Sequence, residues 1–100
     1  MATADRGSQG DEAGDQILIV DDEEPIRRML ARLLETHGYP TLTAADVEEA
    51  RSRLDEQEFS LILADMSMPG GSGLDLLTHV RQNRPETAII MVTGMADTSL

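Results

Sequence analysis

Short apolar runs that end abruptly at polar residues recur along the chain. Ile17–Val20, residues 61–64 and Ala88–Val92 are continuous and mostly aliphatic. Such runs are typical of strands that are buried on both faces of a parallel sheet. Thr41–Ala44 follows the same pattern with more polar residues, which favours an edge strand. The pattern therefore predicts four strands.

Helical patterns separate the predicted strands. Pro25 suits the first turn of a helix, and Gly38 offers a left-handed cap after its end. Asp46 and Glu49 resemble a capping pair for a second helix, and a third helix must stop before Pro85. The apolar positions of each helix share the spacing of one helical face: Ile26, Met29, Leu30, Leu33 and Leu34 in the first helix, Val47, Ala50 and Leu54 in the second, and Leu74, Leu77 and Val80 in the third. Those of the second helix are expected to face inward.

The order βαβαβαβ predicts an α/β fold with a parallel, doubly wound sheet and right-handed crossovers. In open sheets of this kind, ligands bind beyond the carboxyl ends of the strands, where the strand order reverses. Asp21 and Asp22 follow the first strand, Asp65 follows the third, and Thr93 follows the fourth. These residues are therefore the candidates for a functional site.

Three neighbouring carboxylates repel one another unless a cation neutralises them. Oxygen donors favour magnesium, with manganese or calcium as substitutes, and magnesium sites commonly combine one or two carboxylates with phosphate oxygens. A carboxylate can itself be a nucleophile that forms an aspartyl phosphate. The pattern thus indicates a magnesium site that handles a phosphoryl group.

Composition narrows the function further. The net charge of −11 argues against direct binding of nucleic acid, and all eight basic residues are arginine. The chain has no cysteine and no apolar run long enough to span a membrane, so we expect a cytoplasmic protein that does not enter membranes. Residues 1–15 are polar and glycine-rich, which predicts a flexible tail before a domain at 16–100.

Four motifs in order carry a family resemblance: LIVDDEEP at 18–25, LADMSMPG at 63–70, GLDLL at 73–77 and IMVTG at 90–94. Together they resemble the receiver domains of bacterial two-component response regulators, over residues 16–100. The resemblance implies a flavodoxin-like sheet with strand order 2-1-3-4. It also implies a phosphoacceptor signalling domain rather than an enzyme, phosphorylated by a sensor histidine kinase or a phosphotransfer protein and acting on an effector domain or protein.

The resemblance also implies a role for each matching residue. Asp65 is the expected phosphoacceptor, and Asp22 and Asp65 are expected to ligate Mg²⁺. Asp21 is expected to reach the metal through water, and Ser67 through its backbone carbonyl. Thr93 corresponds to the hydroxyl that contacts the phosphoryl group and acts as a switch.

The chain departs from the family in one respect. Receiver domains continue into a further helix and a fifth strand that carries a lysine, whereas this chain ends at Leu100 and contains no lysine. We therefore expect a receiver that is truncated after the fourth strand, whose exposed fourth strand promotes self-association.

Two other functions stay open at this point. An interaction-only pseudo-receiver would bind partners without being phosphorylated, and the missing lysine favours it. A small hydrolase or cofactor-binding flavodoxin-like domain is disfavoured, because acidic residues stand after the first strand where a glycine-rich phosphate loop would be needed.

Overall fold

The computed structural model describes residues 16–66 and 73–92, and the predicted tail at 1–15 lies outside them. The elements alternate as predicted: β1 (Ile17–Val20), α1 (Glu24–Thr36), β2 (Thr41–Ala44), α2 (Val47–Glu56), β3 (Leu61–Asp65), α3 (Gly73–Asn83) and β4 (Ala88–Val92). Three of the strands have the predicted bounds, and β3 is one residue longer because it includes Asp65.

All four strands are parallel, in the order β2-β1-β3-β4. This confirms the predicted flavodoxin-like order and the place of β2 at an edge. In the register, Val20 of β1 lies beside Ala44 of β2 and Ala64 of β3, and Asp65 lies beside Val92 of β4. The order reverses between β1 and β3, the two central strands, because β2 and β3 lie on opposite sides of β1.

The predicted helix ends are present. Pro25 lies in the first turn of α1, and Gly38 has a φ of 92°, a left-handed conformation that glycine adopts without steric cost. At the start of α2, the backbone N–H of Glu49 donates to Oδ1 of Asp46, and the backbone N–H of Ala45 donates to Oε1 of Glu49, both at 2.8 Å. Asp46 therefore caps the helix as predicted, and the Glu49 side chain reaches back to the residue before the cap.

α2 and α3 contact each other and so share one face of the sheet. The right-handed rule for parallel crossovers puts α1 on the other face. The side with two helices holds the main core, whose buried members are Leu18, Val20, Ala44, Val47, Ala50, Leu54, Phe59, Ile62, Ala64, Leu76 and Val80. The predicted inner face of α2 is therefore confirmed. In α3, Leu76 and Val80 are fully buried, whereas Leu74 is exposed.

The other face of the sheet is only partly covered. α1 packs against β1 and β2, and Ile17 and Ile19 are buried beneath it. No residue of α1 is itself buried, and two members of its apolar face, Met29 and Leu33, are 56% and 53% exposed. Within the described residues, a single helix covers this face of the sheet. Met29 and Leu33 therefore have no further described element to pack against.

No helix in the described part of the chain combines the length and the apolar content that a membrane span requires.

Candidate functional site

The register of the two central strands brings the acidic residues together. Val20 and Ala64 are paired neighbours in β1 and β3, so the residues that follow them, Asp21 and Asp65, leave the sheet side by side. This point is where the strand order reverses, which is where open α/β sheets form their ligand crevice. The structure therefore places Asp21 and Asp65 where the sequence predicted them.

Asp22 completes the cluster. One carboxylate oxygen from each of Asp21, Asp22 and Asp65 lies within 4.8 Å of the other two. Asp21 and Asp65 are half-buried, whereas Asp22 is exposed to solvent. Two of the three residues are therefore partly shielded from solvent, and the third is open to the medium from which a cation would arrive.

Asp21 is held by hydrogen bonds at three of its atoms. Its backbone N–H donates to the carbonyl oxygen of Ala44 at 3.1 Å. Its Oδ1 accepts from the backbone N–H of Glu23 at 2.8 Å, and its carbonyl oxygen accepts from Nη1 of Arg27 at 2.7 Å. Both backbone polar groups of Asp21 are thus hydrogen-bonded, which holds the start of the turn between β1 and α1.

Sequence reasoning missed Arg27. The sequence did contain a signal. A cation near the start of a helix interacts unfavourably with the helix dipole, so an arginine there suggests a compensating partner. Arg27 has such a partner in the Asp21 carbonyl, which lies six positions earlier in the chain. The apolar and acidic patterns used to find the site give no weight to such a contact.

The electrostatics of the cluster show in Asp21. Burial raises the pKa of its carboxyl group above the ordinary value, and repulsion from Asp65 and Asp22 raises it further. The hydrogen bond from Glu23 and the positive charge of Arg27 oppose this rise in pKa without cancelling it. A cation beside Asp21 would favour the ionised form of its carboxyl group and so oppose this rise in pKa.

The donor set fits magnesium. All three groups are carboxylate oxygens, the hard ligands that Mg²⁺ prefers over the nitrogen and sulfur donors suited to zinc. Two ligands on one octahedral Mg²⁺ are about 3 to 4 Å apart, given its bond length of roughly 2.1 Å. An upper separation of 4.8 Å is slightly wider, so one carboxylate can reach the metal through water with little movement of the others.

Two of the predicted site residues are not part of this geometry. Ser67 and Thr93 lie outside the described residues. The roles expected for them stay predictions.

Comparisons with known proteins agree with this fold. Residues 17–100 match the response regulator receiver domain family, and the chain belongs to that family. The response regulator protein PilR of Pseudomonas aeruginosa is 44% identical over 85 residues, which are 83% of this chain and 19% of PilR. The chain is thus a receiver domain of the two-component response-regulator type, and receiver domains are signalling domains rather than classical enzymes.

Two solved structures of one protein are informative neighbours. The response regulator protein TrrA of Thermotoga maritima, in complex with Mg²⁺-BeF, is 35% identical with a TM-score of 0.78, over 82% of this chain and 71% of TrrA. TrrA in complex with the histidine kinase ThkA is 35% identical with a TM-score of 0.77, over 83% of this chain and 72% of that one. In contrast, the chain spans less than half the length of the curated relatives that it matches.

Proposed function

We propose that this receiver domain accepts a phosphoryl group on Asp65 with the assistance of Mg²⁺. The observation that carries the proposal is the meeting of three carboxylate oxygens within 4.8 Å at the reversal point of the sheet. A domain that only bound partners would gain nothing from this arrangement, because the three negative charges repel one another. The cluster is therefore better explained by a cation and a phosphoryl group than by structural stability.

Asp22 and Asp65 would hold the metal directly, Asp21 through water, and Ser67 through its backbone carbonyl. When bound, Mg²⁺ supplies positive charge that neutralises the carboxylates and the oxygens of the transferred group. The half-buried position of Asp65 at the end of β3 limits the directions from which a donor can approach it. The complex of TrrA with Mg²⁺-BeF supports the assignment by analogy.

In the transfer itself, a carboxylate oxygen of Asp65 attacks the phosphorus of a phosphohistidine. A P–O bond forms as the P–N bond breaks, and the histidine nitrogen leaves with the electron pair of that bond. The chain itself positions the reacting groups. β3 holds the Asp65 nucleophile, and the hydroxyl of Thr93 would contact one phosphoryl oxygen and act as a switch that responds to phosphorylation.

The donor would be a sensor histidine kinase or a phosphotransfer protein, and the output an effector domain or protein. The complex of TrrA with the histidine kinase ThkA supports a kinase partner. The family match at residues 17–100 supports a receiver unit at 16–100, with residues 1–15 as a tail before it.

Acetyl phosphate with Mg²⁺ tests the proposal without needing the natural kinase. Intact-mass and peptide mass spectrometry should show one phosphoryl group, placed on Asp65. Asp65→Asn should abolish labelling, whereas Asp55→Asn, at an exposed position of α2, should leave it unchanged.

Undiminished labelling of Asp65→Asn would remove Asp65 from the mechanism. If the unaltered protein takes up no phosphoryl group from acetyl phosphate or from any histidine kinase, the interaction-only function replaces the proposed one.

A further inference from the structure

Arg27 differs from three other arginines of the chain because it donates a hydrogen bond to a residue of the acidic cluster. Nη1 of Arg27 donates to the carbonyl oxygen of Asp21 at 2.7 Å, and the Arg27 side chain is half-buried at the first turn of α1. Arg28, the next residue, pairs with Glu24 at 2.8 Å on the solvent-facing side of the same helix. Arg53 and Arg84 donate to the carbonyl oxygens of Thr43 and Leu54, away from the acidic cluster.

The bond from Arg27 closes a loop of chain around Asp22. The backbone enters this loop at Asp21, whose N–H is tied to Ala44 of β2, and it leaves in α1, where the N–H of Arg27 donates to the carbonyl oxygen of Glu23 at 3.1 Å. Asp22 lies between these anchored points, and its own side chain is exposed. The path of the backbone, rather than packing, must therefore set the direction of the Asp22 carboxylate.

We propose that Arg27 is a positioning residue for the metal site. By fixing the Asp21 carbonyl it holds the turn between β1 and α1 in the form that directs Asp21 and Asp22 toward Asp65. The inference rests on the proposed function, because it concerns the affinity of the same carboxylates for Mg²⁺. It adds a residue that reaches no phosphoryl group and acts through the backbone of its neighbour.

If Arg27 positions the carboxylates, it strengthens Mg²⁺ binding, whereas its charge alone would weaken that binding. A guanidinium beside three carboxylates reduces their attraction for a dication, so removing the positive charge would strengthen metal binding if charge were its whole contribution. Removing a group that orients metal ligands weakens metal binding instead, typically by roughly 10-fold to 100-fold. The sign of the change in Mg²⁺ affinity therefore separates positioning from charge.

Arg27→Met and Arg28→Met form a matched pair for this test. Methionine keeps much of the apolar stem of arginine and removes both the charge and the hydrogen-bond donors. Calorimetric titration with MgCl₂ should show binding weakened by about tenfold in Arg27→Met and little changed in Arg28→Met. The two variants change the net charge equally, so a difference between them reports the Asp21 contact.

Hydrogen exchange in metal-free buffer gives a second readout. If Arg27 holds the turn, the Glu23 amide, which donates to Asp21, should exchange faster in Arg27→Met, with the amides of β1 and β3 unchanged. A global loss of stability would accelerate exchange in the strands as well.

Mg²⁺ affinity in Arg27→Met that is equal to or higher than in the unaltered protein would overturn the inference. Failure of the unaltered protein and of Arg28→Met to bind Mg²⁺ would instead overturn the proposed function, and the inference with it.

Discussion

Gly73 lies directly against the backbone of Asp65. A Cβ atom at Gly73 would be 2.5 Å from the carbonyl oxygen of Asp65 and closer still to Cε of Met91. The backbone N–H of Gly73 also donates to the carbonyl oxygen of Met66 at 3.2 Å. The start of α3 therefore approaches the end of β3 at a distance that only glycine permits, next to the expected phosphoacceptor.

Replacing this glycine should affect both stability and the site. We expect Gly73→Ala to lower the free energy of unfolding by about 2 kcal/mol, within the range for overpacking a tight contact, and to weaken Mg²⁺ binding by displacing Asp65. Urea unfolding and magnesium titration would measure the two effects.

Gly38→Ala is the matched control for that substitution. Its Cβ would meet nothing within 4 Å, but its φ of 92° disfavours any side chain, so we expect a loss of about 1 kcal/mol with Mg²⁺ affinity unchanged. If both variants bind Mg²⁺ normally, the close approach of Gly73 does not position Asp65.

Asp22 and Asp46 are both acidic residues just before helices, and substitution should separate their roles. Asp22→Ala should weaken Mg²⁺ binding by more than about tenfold, because it removes a direct ligand rather than a supporting group. Asp46→Ala removes the cap that binds the Glu49 N–H, which should cost about 1 kcal/mol of stability and leave Mg²⁺ binding unchanged. Equal Mg²⁺ affinity in Asp22→Ala and the unaltered protein would argue against Asp22 as a ligand.

The raised pKa of Asp21 predicts how the stability of the metal-free chain depends on pH. The folded chain retains a proton that the unfolded chain releases at an ordinary pKa of 3.8, so this contribution to stability is fully present below 3.8. It is lost as the pH rises through the interval between 3.8 and the raised value. Asp21→Asn cannot ionise and keeps an oxygen to accept from Glu23, so it should unfold at higher urea than the unaltered chain at pH 7.

Urea unfolding between pH 3 and pH 7 in magnesium-free buffer would measure this difference, which should shrink at the acidic end. Asp55→Asn serves as the comparison on the exposed side of α2. A stability gain of Asp21→Asn that persists unchanged at pH 3 would show that the carboxylate charge is not its cause.

β4 is an edge strand of the described sheet and exposes apolar side chains. Among the described residues it pairs with β3 alone, and Ile90 and Val92 are 51% and 43% exposed. An apolar strand with an unpaired edge favours pairing with another chain, so we expect the 100-residue chain to self-associate. Ile90→Lys should make it monomeric, whereas Leu74→Lys, at an equally exposed leucine on α3, should not.

Sedimentation at several protein concentrations would measure both variants and the unaltered chain. A monomer at every concentration without any substitution would show that β4 is not an association surface.

The sequence predicted the strands, the strand order and the helix caps well, because each depends on local residues or on a family pattern. An apolar pattern does not show by itself which face of a helix another element covers. The stripe on α1 is apolar whether or not a neighbour packs on it, and Met29 and Leu33 turned out exposed. The contacts of Arg27 with the Asp21 carbonyl and of Gly73 with the Asp65 backbone were not predicted for a related reason: each joins residues that the sequence pattern does not connect, and only three-dimensional structure shows such a contact.

The pairing of β1 with β3 has a consequence for folding. Asp21 and Asp65 are far apart in the chain and become neighbours only when these strands align, so the unfolded chain offers no comparable magnesium site. A ligand that binds only the folded state stabilises it by mass action, by about 2.7 kcal/mol at 100 times its dissociation constant. Magnesium would therefore act as a reversible cross-link between the two central strands, and the magnesium concentration around the domain would help to set its stability.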